Sequence, residues 1–188
     1  MARIPYPDPA ALPAEARSLL ESLPQLNIFR MIAGAGASFV PFMEFINSYL
    51  NSGVLDPELR ELVILRVGHL CGSAYELHQH RRVSRMIGMN EERIAATAGA
   101  LPSPLFNAAE NAALAFTDDQ VANVKADGRL FAAAHELLGD AGMQELVIVI
   151  GTYLLVCRYL ETFEIDLEET DIPTSGLDEI RKGLEKHG

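Results

Sequence analysis

The chain has 188 residues, 49% of them apolar, which is the length of one domain (1–188) with enough apolar material for a sizeable core. A formal net charge of −11 repels phosphate backbones and anionic lipid, so neither nucleic acid nor a membrane surface is an expected partner. Two cysteines, Cys71 and Cys157, stand far apart in sequence without framework spacing and read as free, buried small hydrophobes of a cytoplasmic protein.

Strand signals are nearly absent, while Ala, Leu, Glu and Arg recur at helical spacing, so the fold class is all-α. The start shows no basic leader followed by an apolar run. A first helix is expected over 13–23 with Pro13 in its first turn, then a short one over 26–33 that stops at Gly34 and Gly36. The next, over 38–50, lines up Phe39, Phe42, Phe45 and Ile46 on one stripe. Asp56 caps a helix opening on Pro57 and Glu58, running to about Leu70. Gly72 interrupts it and Ser73 can cap a second segment that ends at Gly88. Asn90 caps 91–98. An amphipathic helix over 106–123 turns Ala109, Ala112, Ala113 and Phe116 inward. Asp127 or Gly128 opens a helix to Leu138, and Asp140 opens a long one from Gly142 to about Phe163. Within it, the apolar stretch 146–156 is too short for a bilayer, which takes about 20 residues. An acidic hinge over 166–173 and a terminal helix over 177–186 complete the chain, with 166–188 as its tail.

One echo runs through the sequence. Glu61-Leu-Val-Ile64 returns as Glu145-Leu-Val-Ile148, and Tyr75 and Tyr159 stand at the same offset. The match reads either as coincidence in a Leu/Val-rich chain or as a duplicated helical unit about a pseudo-twofold axis. In the second copy Cys157 replaces Ser73 and Glu164 replaces His80, so only the first keeps the polar set.

Ser73, Glu76 and His80 fall at i, i+3 and i+7, which puts a hydroxyl, a carboxylate and an imidazole on one helical face. Such a set can move protons, because the carboxylate orients the imidazole and raises its basicity. The same spacing also describes an ordinary surface Glu–His pair. His78 and His80 point about 200° apart on a helix and cannot share a metal ion. No second ligand pair is in sight, so no metal is expected. His69 reads as a core or helix-end histidine and His135 as a surface one. Arg81, Arg82 and Arg85 read as a solvated face from which one arginine could hold a carboxylate. The stretch Gly34-Ala-Gly36 lacks a preceding strand, and no GxSxG or Gly-Lys-Ser/Thr loop occurs.

From Leu59-Arg-Glu-Leu-Val-Ile-Leu-Arg through Cys71-Gly-Ser-Ala-Tyr-Glu-Leu-His-Gln-His80 to Asn90-Glu-Glu-Arg-Ile94, with its motif region over 57–94, the chain resembles the carboxymuconolactone decarboxylase family. That superfamily also contains alkylhydroperoxidase D, whose motif is a Glu followed by Cys-x-x-Cys-x-x-x-His. Glu61 falls on the Glu and His80 on the His, but Ser73 and Glu76 fall on the two cysteines. Cys71 is two residues out of register. A dithiol peroxidase needs one thiolate to attack and a second to resolve the sulfenate. The resemblance therefore implies the decarboxylase-type branch, in an alkylhydroperoxidase D-like multi-helix bundle.

It implies an enzyme without metal, dithiol or cofactor, acting on a small carboxylated lactone or related acid. His80 is expected as proton donor or acceptor, Glu76 as its orienting partner, Glu61 as a second acid/base group and Ser73 as a hydrogen-bonding group. On one straight helix Glu61 would lie about 18 Å from Ser73, at about 1.5 Å per residue, so it joins the site only if the chain breaks at Gly68 or Gly72. Its other reading is a salt bridge with Arg60 or Arg66. The resemblance also implies a homo-oligomer, trimer or hexamer. The alternatives are an alkylhydroperoxidase-type antioxidant enzyme with peroxiredoxin activity, and a non-catalytic helical oligomer or ligand-binding relative.

Overall fold

A computed structural model of the chain describes residues 1–168; the expected terminal helix over 177–186 and most of the hinge lie outside the described residues. Every regular element among the described residues is helical: α1 (Ala14–Ser22), α2 (Asn27–Ile32), α3 (Phe39–Ser52), α4 (Pro57–Cys71), α5 (Ala74–Met86), α6 (Glu91–Ala96), α7 (Ala108–Asn123) and α8 (Gly128–Phe163), with two short 3₁₀ turns near the start. They form two compact units, one of Met1–Gly53 with the chain from Leu160, the other Val54–Tyr159.

In the first unit the N-terminus is fastened to the chain leaving α8, where the Arg3 amide donates to the Phe163 carbonyl at 2.9 Å and Arg3 pairs with Glu164 at 2.7 Å. Gly36, at φ 65°, breaks the run between α2 and α3, as expected of a residue without a Cβ. The core face of α3 differs from the expected stripe. Phe39, Met43 and Tyr49 are buried, whereas Phe45 is exposed and meets Tyr49 edge-on at 5.7 Å.

The second unit is built around α4. Asp56 accepts from the Glu58 and Leu59 amides at 2.9 and 3.3 Å, and Pro57 fills a position whose N–H has no helical partner. Every residue from Leu59 to Gly68 is buried, so α4 is a central helix, packed on α5 and α7, rather than an amphipathic surface one. That burial forces its charged residues to find partners. Arg66 donates to Asp118 through Nε and Nη2, both at 2.6 Å, and to the Thr97 and Gly99 carbonyls at 2.8 Å. Arg66 is thus committed to Asp118, not to Glu61.

On α7 Asn107 and Glu110 close a reciprocal capping box. Its buried face is Glu110, Ala113, Leu114, Phe116 and Thr117; Ala109 and Ala112 are only half-buried. Along α8 the backbone breaks at Gly139 (φ 68°), which separates the two expected helices by one left-handed residue instead of a loop. Because the run continues, Gly128–Phe163 has the length and apolar composition to cross a membrane, a test that the core helix of a soluble protein also passes. In its second segment Leu146, Val149, Ile150, Tyr153 and Cys157 form a buried stripe at helical spacing.

Candidate active site

The site exists because α4 ends where it does. Gly72 sits at φ 66°, the Gly72 amide donates to the His69 carbonyl at 3.2 Å, and the Ser73 amide donates to the Gly68 carbonyl at 3.0 Å. This glycine-terminated cap turns the chain back on itself, so α5 lies against α4. Gly68 provides the close approach: a Cβ there would stand 3.1 Å from Leu77 Cδ2 and 3.5 Å from Glu76 Cγ. The reversal brings Glu61 to the face of α5 that carries Glu76 and His80.

His80 Nδ1 lies 2.7 Å from Glu61 Oε2, and Nε2 lies 3.1 Å from Glu76 Oε1. The first contact is a well-aligned hydrogen bond; the second has ion-pair distance but leaves Oε1 without an aligned donor. Both carboxylates are buried, at 3 and 4% side-chain exposure against 14% for His80. Burial is the largest influence on the imidazole and opposes its charge. Attraction to Glu61, then to Glu76, together with their hydrogen bonding, outweighs burial and pushes its pKa up to about 10. His80 is therefore an imidazolium at neutral pH, with one proton held by Glu61. The Tyr153 ring on α8 stands edge-on to it, 4.9 Å between centroids.

Ser73, expected to cap α5, occupies the cap position without a capping hydrogen bond. Its hydroxyl is fully buried and lies beside the Cys157 thiol, with no aligned partner. Cys157 in turn shares a hydrogen bond with Cys71 at the end of α4. Neither thiol is in a disulfide; Cys157 is buried, Cys71 is only half-buried, and the two are neighbours despite their separation in sequence. Hydrogen bonding to Cys71, then burial, then the Glu76 charge raise the Cys157 pKa well above the ordinary thiol range.

The remaining candidates lie elsewhere. His78 is half-buried and outside the trio. Burial, then Arg81 and Arg66, lower the pKa of His69, which keeps it neutral. His135 pairs with Asp140 at 2.5 Å and stacks on Phe131. Arg82 donates to Gln79, and Arg85 is clamped on Glu91. Among the described residues, no three His, Cys, Asp or Glu side chains are grouped to hold a metal ion. Two clefts of this unit, of about 340 and 530 Å³, are lined by neither Glu61, Glu76 nor His80.

Sequence reasoning missed Tyr153 and Cys157. Their places on the apolar stripe of α8 announce burial, but nothing in that periodicity says that they face α4 and α5.

Residues 36–119, which contain the Glu61–Glu76–His80 trio, match the carboxymuconolactone decarboxylase family. That stretch of the chain is similar to the family. No curated protein matches it by sequence. Solved structures that share its all-helical, AhpD-like fold do so at low identity. A protein of unknown function from Agrobacterium tumefaciens, described under antioxidant defence as AhpD, is 23% identical, with a TM-score of 0.67 over 73% of this chain and 96% of its own. An uncharacterized peroxidase-related protein with an alkylhydroperoxidase AhpD core, from Ralstonia eutropha, is 21% identical, with a TM-score of 0.74 over 89% and 93%. The debrominase Bmp8, solved with 2,3,4-tribromopyrrole, is 17% identical, with a TM-score of 0.65 over 93% and 89%.

Proposed function

We infer that this protein is an acid/base enzyme of the decarboxylase type, acting on a small carboxylated lactone or a related acid. The observation that carries this reading is the imidazolium of His80 clamped between two buried carboxylates, 2.7 Å from Glu61 and 3.1 Å from Glu76. Loss of CO₂ breaks a carbon–carbon bond and leaves its electron pair on the substrate, delocalised as an enolate. That charge needs a nearby cation and then a proton. His80 supplies both. Glu61, the closer and better-aligned carboxylate, suits the role of orienting the ring through Nδ1. This leaves Nε2, on the Glu76 side, to deliver the proton, with Glu76 as the second acid/base group. The two glutamates thus exchange the roles that the resemblance implies for them.

A hydroperoxidase reading is the second candidate, and the names of the Agrobacterium and Ralstonia proteins point that way. Against it, Ser73 and Glu76 occupy the positions where the motif carries its two thiols. Purified protein offered a panel of carboxylated lactones and, separately, alkyl hydroperoxides separates the readings. The expected result is lactone decarboxylation that falls about 10²-fold or more in His80→Gln, with its helical content intact, and is unchanged in His78→Gln. Hydroperoxide turnover without lactone turnover would overturn this reading. Equal sensitivity at the two histidines would overturn the assignment of His80.

A further inference from the structure

Behind the acid/base trio lies a second group of reactive side chains that the proposed reaction does not use. Cys71 is the last residue of α4, half-buried, immediately before the left-handed Gly72. Cys157 comes from α8, is 1% exposed, and shares a hydrogen bond with Cys71. Ser73, with its hydroxyl completely buried and unaligned to any partner, closes the group beside Cys157. Two hydrogen-bonded thiols on different helices, one reachable from solvent and the other shielded, form the arrangement that intramolecular disulfide exchange requires.

We propose that Cys71 and Cys157 form a redox site, a dithiol that closes to an α4–α8 disulfide by exchange with small-molecule disulfides and reopens with dithiol reductants. The site stands apart from the acid/base reading and does not depend on it.

Cys71 attacks first because it is the accessible thiol. It loses its proton to solvent, its sulfur bonds one sulfur of the incoming disulfide, the disulfide bond breaks, and one small thiolate leaves and takes up a proton. Cys157 then attacks the Cys71 sulfur of this mixed disulfide. The second small thiol departs with the Cys157 proton, and the Cys71–Cys157 bond remains. Two electrons pass from the protein dithiol to the small disulfide, which becomes two thiols. The raised pKa of Cys157 keeps it a thiol until an adjacent sulfur is activated, which suits the resolving role and not the attacking one. Proximity compensates for its small thiolate fraction, because the second step is intramolecular.

The test uses the full-length protein incubated at neutral pH with oxidised glutathione, followed by alkylation of residual thiols and mass analysis of the intact protein and its peptides. The expected product is lighter by two hydrogens, has no alkylated cysteine, and yields one linked peptide pair containing Cys71 and Cys157. Cys157→Ala is expected to hold one glutathione on Cys71, and Cys71→Ala to remain unmodified. A wild-type chain that keeps glutathione on Cys71 without closing, alkylates fully at both thiols, or links two copies through cysteine would overturn the proposal. The wild-type result decides on its own, so it survives any variant that fails to fold.

Discussion

His80 carries its charge because two carboxylates reach it at once, and that has a consequence for stability. Its pKa is about 10 in the folded chain and near the ordinary 6.5 once unfolded. A group whose folded pKa is raised stabilises the fold fully below its unfolded pKa and loses that contribution as pH rises through its folded one. The contribution is therefore present below about pH 6.5 and is lost by about pH 10. Urea denaturation at pH 7 and pH 10 should show wild type losing more stability over this interval than His80→Gln, which removes the titrating group. An identical loss in both proteins would mean that His80 is not held charged. At this scale the sequence was informative about identity and poor about contacts. The i, i+4 spacing of Glu76 and His80 was legible. The closer partner, Glu61, was legible only as a residue that a chain break could bring in. Tyr153 and Cys157 carried a local signal for burial but none for their partners, which lie on helices far along the chain.

Among the elements, α4 decides the geometry. A helix buried along its whole circumference must pair its charged side chains, and it pairs Glu61 and Arg66 in different ways. Glu61 is spent on His80. Arg66 binds Asp118 with two nitrogens and two carbonyls with a third, tying α4 to α7 and to the turn after α6. Across the α4–α5 turn, Gly72 supplies the reversal, and Gly68 lets Leu77 and Glu76 come close. Arg66→Ala leaves Asp118 and the Thr97 and Gly99 carbonyls without their donor. Breaking a buried ion pair on one side costs about 3–5 kcal/mol, and Asp118 is partly solvated, so the expected loss lies toward the low end. Denaturant titration reads this directly, and a change below about 0.5 kcal/mol, as for an ordinary surface residue, would show that Arg66 does not hold α4 in place. The ends of these helices were legible because caps are local: Asp56-Pro57, Asn90 and Gly88 each act within one turn. The echo between Glu61 and Glu145 was less informative. Glu145 accepts from the Val54 and Leu55 amides, a scaffold role, and α8 runs straight through the positions where the first copy turns back at Gly72.

At the scale of the whole molecule, the second segment of α8 has two apolar faces, and only one is buried. Opposite the core stripe, Val147, Ile148 and Leu155 are 40, 41 and 47% exposed, and a Cβ at Gly151 between them would meet no atom within 4 Å. The 530 Å³ cleft beside them is lined by Phe131, Met143, Val147 and Ile148, with His135 and Asp140 at its edge. A contiguous apolar surface rimmed by polar groups is how an interface between copies is built. A second copy of this chain is the expected occupant, in keeping with the oligomers of the family it resembles. Each copy carries a net charge of −11, so repulsion opposes association and added salt, by screening it, should favour the assembled form. Light scattering at micromolar concentration should give a mass above that of one chain. The Ile148→Glu, Leu155→Glu variant should fall to a single chain with its helical content unchanged, since both side chains are already exposed. A wild-type protein that scatters as a monomer at that concentration, in low and high salt alike, would leave the stripe as uncovered surface and sink the prediction.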